Sequence, residues 1–365
     1  MDHQDYMELA LQLAASGKGQ TSPNPAVGAA VVKEGRIIGL GAHLKAGEPH
    51  AEVHALRMAG EKATGATVYV TLEPCSHFGK TPPCADLLIE QGVSRVFVAT
   101  TDPNPEVSGR GIAKLREAGI EVEVGLLKSQ ADAINEMFFH YISTKTPFVT
   151  LKSAISLDGK IATASGESQW ITGEEARNDA HQYRDQHDAI LVGINTVLAD
   201  NPSLTTRLSG GGKNPIRIIL DRQLRTPLDA NVVKDEKADT WIVTTQSAAE
   251  QKGSQYQQPG VKILAMPDET IEINSLLEQL GHEGITSLLV EGGATVNDAF
   301  LRAGAVQQVI TYIAPKLIGG QTAPTSFTGM GIEKLADALT LEIVSTEKIG
   351  EDLKLVSKPR KSRSE

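Results

Sequence analysis

The chain reads as two α/β domains in tandem. Short runs rich in β-branched residues alternate with stretches of helical apolar spacing almost throughout. The alternation is interrupted at the polar stretch Ser143-Thr-Lys-Thr146, before Pro147, and restarts at Phe148. A length of 365 residues suits two domains at about 150 residues each. The expected domains are therefore 1–146 and 147–365.

In the first domain, Tyr6 to Ala15 has helical spacing. Ala26–Val32 and Arg36–Leu40 read as strands joined by a tight turn at Glu34-Gly35. A helix from Ala51 to Ala63, a strand from Thr67 to Thr71 and a helix from Cys84 to Gln91 follow. Strands at Arg95–Thr100 and Ile120–Val124 flank a helix from Gly111 to Ala118, and Gln130 to Ile142 reads as one closing helix. The pattern predicts a mixed sheet covered by helices on both faces. The second domain offers strands at 148–155, 189–192, 216–220, 240–244 and 287–290, with helices at 174–185 and 271–280. Two late strands, 308–313 and 341–344, have no helical crossover after them. No internal repeat relates the halves.

Composition narrows the function classes. Hydrophobic residues make up 40% and charged residues 22%, as in ordinary globular chains. A formal charge of −10 offers nucleic acid no general attraction, so none is expected as a partner. The basic tail at 358–363 reads as a solvated terminus. The N-terminus lacks the regions of a signal peptide and no apolar run would span a membrane. A cytoplasmic protein is expected, self-associating as a homo-oligomer. The two cysteines argue for a metal rather than a disulfide.

Both cysteines lie in Thr71-Leu-Glu-Pro-Cys-Ser-His-Phe-Gly-Lys-Thr-Pro-Pro-Cys84, and Pro49-His50-Ala-Glu52 precedes them. One imidazole and two thiols leave a zinc ion one ligand short of closure, the arrangement of a catalytic site with room for a water. The predicted ligands of one Zn2+ are His50, Cys75 and Cys84. Glu52 is the predicted general base and acid. Cys84 is placed at a helix start, where deprotonation of its thiol is favoured. The zinc nucleobase deaminase signature is H-x-E…P-C-x-x-C, but eight residues rather than two separate Cys75 from Cys84. The inserted loop must lie beside the metal. His77 and Lys80 in it are either ordinary loop residues or contacts for a substrate phosphate. His54, one turn after His50, reads as packing or as a support behind the ligands rather than as a ligand.

The motifs Asn24-Pro-Ala-Val-Gly28, His50-Ala-Glu52 and Thr71 to Cys84 resemble the deaminase domain of the bifunctional riboflavin-biosynthesis deaminase–reductases. That resemblance implies a cytidine-deaminase-like three-layer α/β/α domain. The implied substrate is a phosphorylated pyrimidine, 2,5-diamino-6-ribosylamino-4(3H)-pyrimidinone 5′-phosphate, which loses its 2-amino group. It further implies that Asn24 holds the pyrimidine, and that His43, His77, Lys80, Asp102 and Asn104 contact ring, ribose or phosphate. A tRNA or free-nucleoside deaminase is the competing enzyme. The acidic charge, the long cysteine loop and the attached second domain count against it.

The second domain has neither a Rossmann G-x-G-x-x-G nor a P-loop. Two segments, Val192-Gly-Ile-Asn-Thr196 and Val290-Glu-Gly-Gly-Ala-Thr-Val296, each run from strand through glycine to helix. Such glycines let backbone N–H groups approach a pyrophosphate, although glycine also ends strands for structural reasons alone. The segments 148–162, 170–173, 188–207 and 291–297 are similar to the reductase domain of the same family. The resemblance implies a dihydrofolate-reductase-like fold that uses NADPH to reduce the ribosyl side chain to ribityl. Carried over, Ala154, Trp170, Thr196, Asp200 and Gly293, Ala294, Thr295, Val296, Asn297, Asp298 and Ala299 contact the cofactor. Ser168, Arg184, Leu204, Arg207 and Glu291 contact the substrate, Arg184 and Arg207 as forks for phosphate. Without the resemblance those arginines read as surface ion pairs. Lys152 and Glu291 are candidates for proton handling, and Arg222 for the 2′-phosphate of NADPH. A regulatory nucleotide-binding module without reductase activity is the reading from another class.

Overall fold

A computed structural model describes residues 1–77, 82–104 and 108–360. The chain divides into two compact units, Met1–Lys145 and Thr146–Glu365.

The first unit contains α1 (His3–Ser16), β1 (Gly28–Lys33), β2 (Arg36–Ala42), α2 (Ala51–Ala59), β3 (Thr67–Val70), α3 (Cys84–Glu90), β4 (Arg95–Val98), α4 (Arg110–Glu117), β5 (Glu121–Val124), α5 (Lys128–Ile134) and α6 (Glu136–Thr144). Asp2 and Asp5 cap α1 reciprocally, each side chain accepting from the other's backbone N–H. Glu34 and Gly35 both take positive φ, 50° and 72°, which suits the tight turn joining β1 to β2. The sheet order is β2-β1-β3-β4-β5; the β1 pairings are antiparallel and β3-β4-β5 is parallel.

Strand alternation serves both faces of this sheet. Val31, Val68, Val70, Val96 and Val98 meet Ala55, Leu56, Leu88 and Leu115 from α2, α3 and α4. Ala30, Val32, Tyr69 and Phe97 meet Tyr6, Met7, Leu11 and Ala131 from α1 and α5. The segments after β3 and β4 leave the carboxyl ends of parallel strands, the usual place for a ligand.

The expected closing helix is two helices broken at Asn135. The side chain of this buried residue accepts from the Ala26 N–H at 2.8 Å and donates to the Ala26 carbonyl at 2.9 Å. Periodicity alone does not reveal such a bond to a residue at the other end of the unit. The helix expected at 51–63 likewise gives way to a 3-10 turn over Gly60–Ala63.

The second unit contains β6 (Phe148–Ser156), α7 (Glu174–Gln186), β7 (Ala189–Gly193), α8 (Ile194–Asp200), β8 (Ile216–Leu220), α9 (Asn231–Lys234), β9 (Thr240–Thr245), α10 (Gln246–Lys252), β10 (Val261–Met266), α11 (Ile273–His282), β11 (Ser287–Val290), α12 (Ala294–Arg302), β12 (Gln308–Ala314), β13 (Leu341–Ile349) and β14 (Asp352–Pro359). They form one sheet of order β10-β9-β8-β7-β11-β6-β12-β14-β13. Strands β10 through β12 run parallel, and β14 and β13 finish the edge antiparallel. The core strands are buried on both faces and carry near-continuous apolar runs.

Sequence reading did not anticipate β10 or β14. In β14 the alternation is inverted: Asp352, Lys354 and Ser357 are buried, whereas Leu353 is exposed. Lys354 is held by the Asp179 carboxylate at 2.7 Å, and Asp352 accepts from the Gly173 N–H, also at 2.7 Å. Ion pairing has replaced hydrophobicity as the reason for burial, so an apolar pattern is the wrong signal there.

Candidate functional site

In the first unit, His50 caps α2, Cys75 follows β3 and Cys84 opens α3. The His50 Nδ1 lies 3.3 Å from the Cys84 Sγ and 3.7 Å from the Cys75 Sγ. One ligand atom from each residue falls within 4.8 Å of the others. Tetrahedral zinc with ordinary Zn–N and Zn–S bonds holds its ligand atoms about 3.6 Å apart. The three side chains fit that ion in donor chemistry and in spacing.

The helix start assists the other cysteine from the one expected. The backbone N–H of Cys84 donates to the Cys75 Sγ at 3.3 Å. The Cys84 thiol, His50 and that N–H together hold the Cys75 thiol below its usual range against its burial. Glu52, in the first turn of α2, is buried. Burial, then the Cys75 thiolate, push its carboxyl up to about 7, with His50 pulling it down. A carboxyl so placed can both take and release a proton near neutrality.

Around this centre, His43 is buried with its ring edge-on to His50 at 5.4 Å. Its Nδ1 lies 3.2 Å from the Pro49 carbonyl, and its Nε2 is buried without a hydrogen-bond partner among the described residues. Burial is the main cause that lowers its pKa. Asp102 follows β4 and is buried. Desolvation raises its carboxyl, the Asn104 N–H at 2.8 Å opposes this, and Glu73, His77 and Cys75 all lie within electrostatic reach. Asn104 is half-buried, and His77 and Asn24 are exposed. Lys80 lies outside the described residues.

In the second unit, Val290 pairs with Leu151, so Glu291 and Lys152 emerge at one level where β11 ends beside β6. Arg184 on α7 grips Glu291 through Nε at 2.8 Å and Nη2 at 3.0 Å, and its Nη1 donates to the Thr205 carbonyl at 3.0 Å. Lys152 stands 3.7 Å from Glu291. Burial would raise the Glu291 carboxyl, but Arg184 and Lys152 hold it well below the usual range. Arg207 donates from Nε to the His181 Nε2 at 3.3 Å.

His181 is a residue that sequence reasoning missed. It lies on α7 three positions before Arg184, a same-face spacing that would have flagged it. Burial, then Arg184 and Arg207, lower its pKa to about 4, so the ring is neutral near pH 7. Its Nδ1 is buried without a partner among the described residues.

The remaining candidates are more scattered. A Cβ at Gly193 would meet Val296 at 2.9 Å and one at Gly292 would meet it at 2.6 Å, so the Val296 side chain packs against both glycines. Gly293 caps α12 with open space beside it. Ala294 is buried, Thr295 is exposed, and Ala299 packs against the core. The Asn297 side chain is buried and donates to the Ser326 carbonyl at 2.9 Å, while Asp298 pairs with Arg302 at 2.7 Å. Ala154 packs beside Tyr312. Trp170 is exposed, with the Arg177 guanidinium 4.6 Å from its ring centre. Ser168 and Thr196 are half-buried, Asp200 and Arg222 exposed, and Leu204 is buried at φ 51°. No helix among the described residues is long and apolar enough to cross a membrane.

Comparison with known proteins agrees with both halves. Residues 1–100 match the cytidine and deoxycytidylate deaminase zinc-binding region, and residues 147–355 match the RibD C-terminal domain. The riboflavin biosynthesis protein RibD of Bacillus amyloliquefaciens is 51% identical over 97% of this chain and 96% of its own length. RibD of Escherichia coli is 46% identical over 97% and 98%. A Thermotoga maritima crystal structure described as a diaminohydroxyphosphoribosylaminopyrimidine deaminase/5-amino-6-(5-phosphoribosylamino)uracil reductase superposes with a TM-score of 0.88 at 39% identity. It covers 98% of each chain. With a cytidine-deaminase-like unit, a RibD reductase unit and relatives matched over nearly their whole length, the chain belongs to the RibD family of bifunctional deaminase–reductases of riboflavin biosynthesis.

Proposed function

We propose that residues 1–146 hydrolyse the 2-amino group of 2,5-diamino-6-ribosylamino-4(3H)-pyrimidinone 5′-phosphate, and that residues 147–365 reduce the ribosyl chain of the product to ribityl. The convergence of His50, Cys75 and Cys84 beside buried Glu52 carries the first half of this reading. Zinc, when bound by those three side chains, supplies Lewis-acid activation of the attacking water. Glu52 takes a proton from that water and delivers it to the departing amine, so that water and the amine exchange at C2 with loss of ammonia. His43, Asp102 and Asn104 border the centre and supply polar groups for the pyrimidine and its ribosyl phosphate, with Asn24, His77 and Lys80 as further contacts.

For the second half, the supporting observation is the largely buried cluster of Lys152, Arg184 and Glu291, where the carboxyl end of β11 lies beside the middle of β6. NADPH supplies the hydride for C1′ of the ring-opened, imine-like sugar. Lys152 is the group placed to give the proton that accompanies it, and Glu291, kept ionised and oriented by Arg184, pairs with the Lys152 ammonium. Ser168, Leu204 and Arg207 complete the substrate side. Ala154, Trp170, Thr196, Asp200, Arg222 and the segment 293–299 border the cofactor. We also place the protein in the cytoplasm as a homo-oligomer; the exposed edge strand β13, with Ile343 and Val344 outward, supports self-association.

The test is a two-step assay on purified protein. Ammonia release from the diaminopyrimidine phosphate and loss of nicotinamide absorbance with the deaminated product are both expected. Absence of the second would leave a deaminase with a regulatory nucleotide module.

A further inference from the structure

Glu73 stands two residues before Cys75 in the first unit, with a buried carboxylate that none of the roles above uses. Its Oε2 accepts from the backbone N–H groups of Asp102 at 3.3 Å and Gly109 at 3.0 Å. Its Oε1 accepts from those of Gly111 at 3.0 Å and Ile112 at 3.4 Å. One side chain thus satisfies donors at the head of α4 and at the first residue of the segment that carries Asp102 and Asn104. A carboxylate at a helix N-terminus is also favourably placed in the helix field. The backbone makes the joint tight: the Glu73 N–H donates to the Thr100 carbonyl at 3.0 Å, and a Cβ on Gly111 would fall 2.0 Å from the Pro74 carbonyl oxygen.

We propose that Glu73 is a positioning residue for the deamination, fixing Asp102 and Asn104 against the centre formed by His50, Cys75 and Cys84. The strand-end segment holding Cys75 and the one holding Asp102 belong to neighbouring parallel strands, β3 and β4. Ladder pairing ends at Val70 and Val98, and beyond them the separation rests on the bonds from the Ala99 N–H to the Val70 carbonyl and from the Glu73 N–H to the Thr100 carbonyl. Glu73 takes over that task a few residues later. One donor from Asp102 and three from the head of α4 converge on this carboxylate and tie the segment to the helix, and a displacement of about 1 Å in a positioning element is enough to weaken a site appreciably. The proposal rests on the reading of Asp102 and Asn104 as substrate contacts.

Glu73→Gln tests it. The amide keeps one acceptor but turns an NH2 donor toward two N–H groups. The expected result is a rise of about tenfold in KM for the diaminopyrimidine phosphate with kcat changed less than about threefold, the pattern of lost uniform binding. Zinc content and reductase rates of the same preparation stay at wild-type values. Glu73→Asp, which keeps both acceptors one carbon further back, recovers part of the affinity. Unchanged KM in Glu73→Gln, alongside a raised KM in Asn104→Ala, would overturn the positioning role. Zinc and both activities falling together would also overturn it, leaving a helix cap needed only for folding. Unchanged KM in Asn104→Ala instead would sink the contact reading beneath it.

Discussion

Arg184 and Glu291 form a largely buried two-bond fork in the second unit, Nε to one carboxylate oxygen at 2.8 Å and Nη2 to the other at 3.0 Å. The pair is separated by more than a hundred residues of sequence, yet it fixes α7 to the end of β11. Breaking one partner of a buried ion pair strands the other, at a typical cost of about 3–5 kcal/mol. Arg184→Ala is therefore expected to lower the unfolding free energy by about that amount and to cut NADPH oxidation at least a hundredfold. Arg184→Lys should not restore the rate, since the fork geometry is lost. Replacing both partners by Met and Leu should recover stability without activity, a result read by denaturant unfolding beside the nicotinamide assay.

Glu52→Gln is isosteric and leaves His50, Cys75 and Cys84 untouched. We expect zinc to remain bound and deamination to fall by about a hundredfold or more, the usual worth of a positioned acid–base group. Reduction of the deaminated product should continue at the wild-type rate. Loss of both activities together would contradict two separate centres.

Chelation isolates the metal's part. Extended treatment with a strong zinc chelator should abolish ammonia release and spare NADPH oxidation. Cys75→Ser and Cys84→Ser should each lower the zinc measured by elemental analysis. Full occupancy in either variant would remove that cysteine from the ligand set.

His181 predicts an acid-side effect on stability. In the folded chain its pKa is about 4, against an ordinary value of about 6.5. Above about pH 6.5 the ring is neutral whether folded or unfolded and contributes nothing to the pH dependence. As pH falls below that value the unfolded chain takes up a proton that the folded chain refuses, so stability drops until about pH 4. His181→Gln should thus lose less melting temperature than wild type between about pH 7 and about pH 4.5. Parallel losses in the two proteins would count against a depressed histidine.

The cluster of His50, Cys75 and Cys84 was legible because its chemistry is rare and local: two cysteines, one His-x-Glu and no others to confuse them. Most strands of the two sheets, β10 and β14 excepted, were legible for a similar reason, since their Val- and Ile-rich runs supply the two cores. What escaped depended on partners distant in sequence. The break at Asn135 answers to Ala26, and buried Lys354 in β14 answers to Asp179. Lys152, Arg184 and Glu291 came from resemblance, because single charged residues on separate elements leave no spacing to read. The glycines at 193 and 292 were read as room for a phosphate. Their nearest demand is room for Val296, a packing requirement that gives the same letters.

The bond between Asn135 and Ala26 also bears on the order of synthesis. Ala26 belongs to the same short loop as Asn24, and its N–H and carbonyl are completed by a side chain that emerges from the ribosome 109 residues later. A nascent chain ending near residue 100, where the zinc-binding pattern stops, already holds every proposed metal ligand. Its Ala26 loop would still lack the side chain that completes it. A minimal deaminase cut from this protein must therefore run past Asn135, and metal content alone is a poor measure of whether such a fragment is finished.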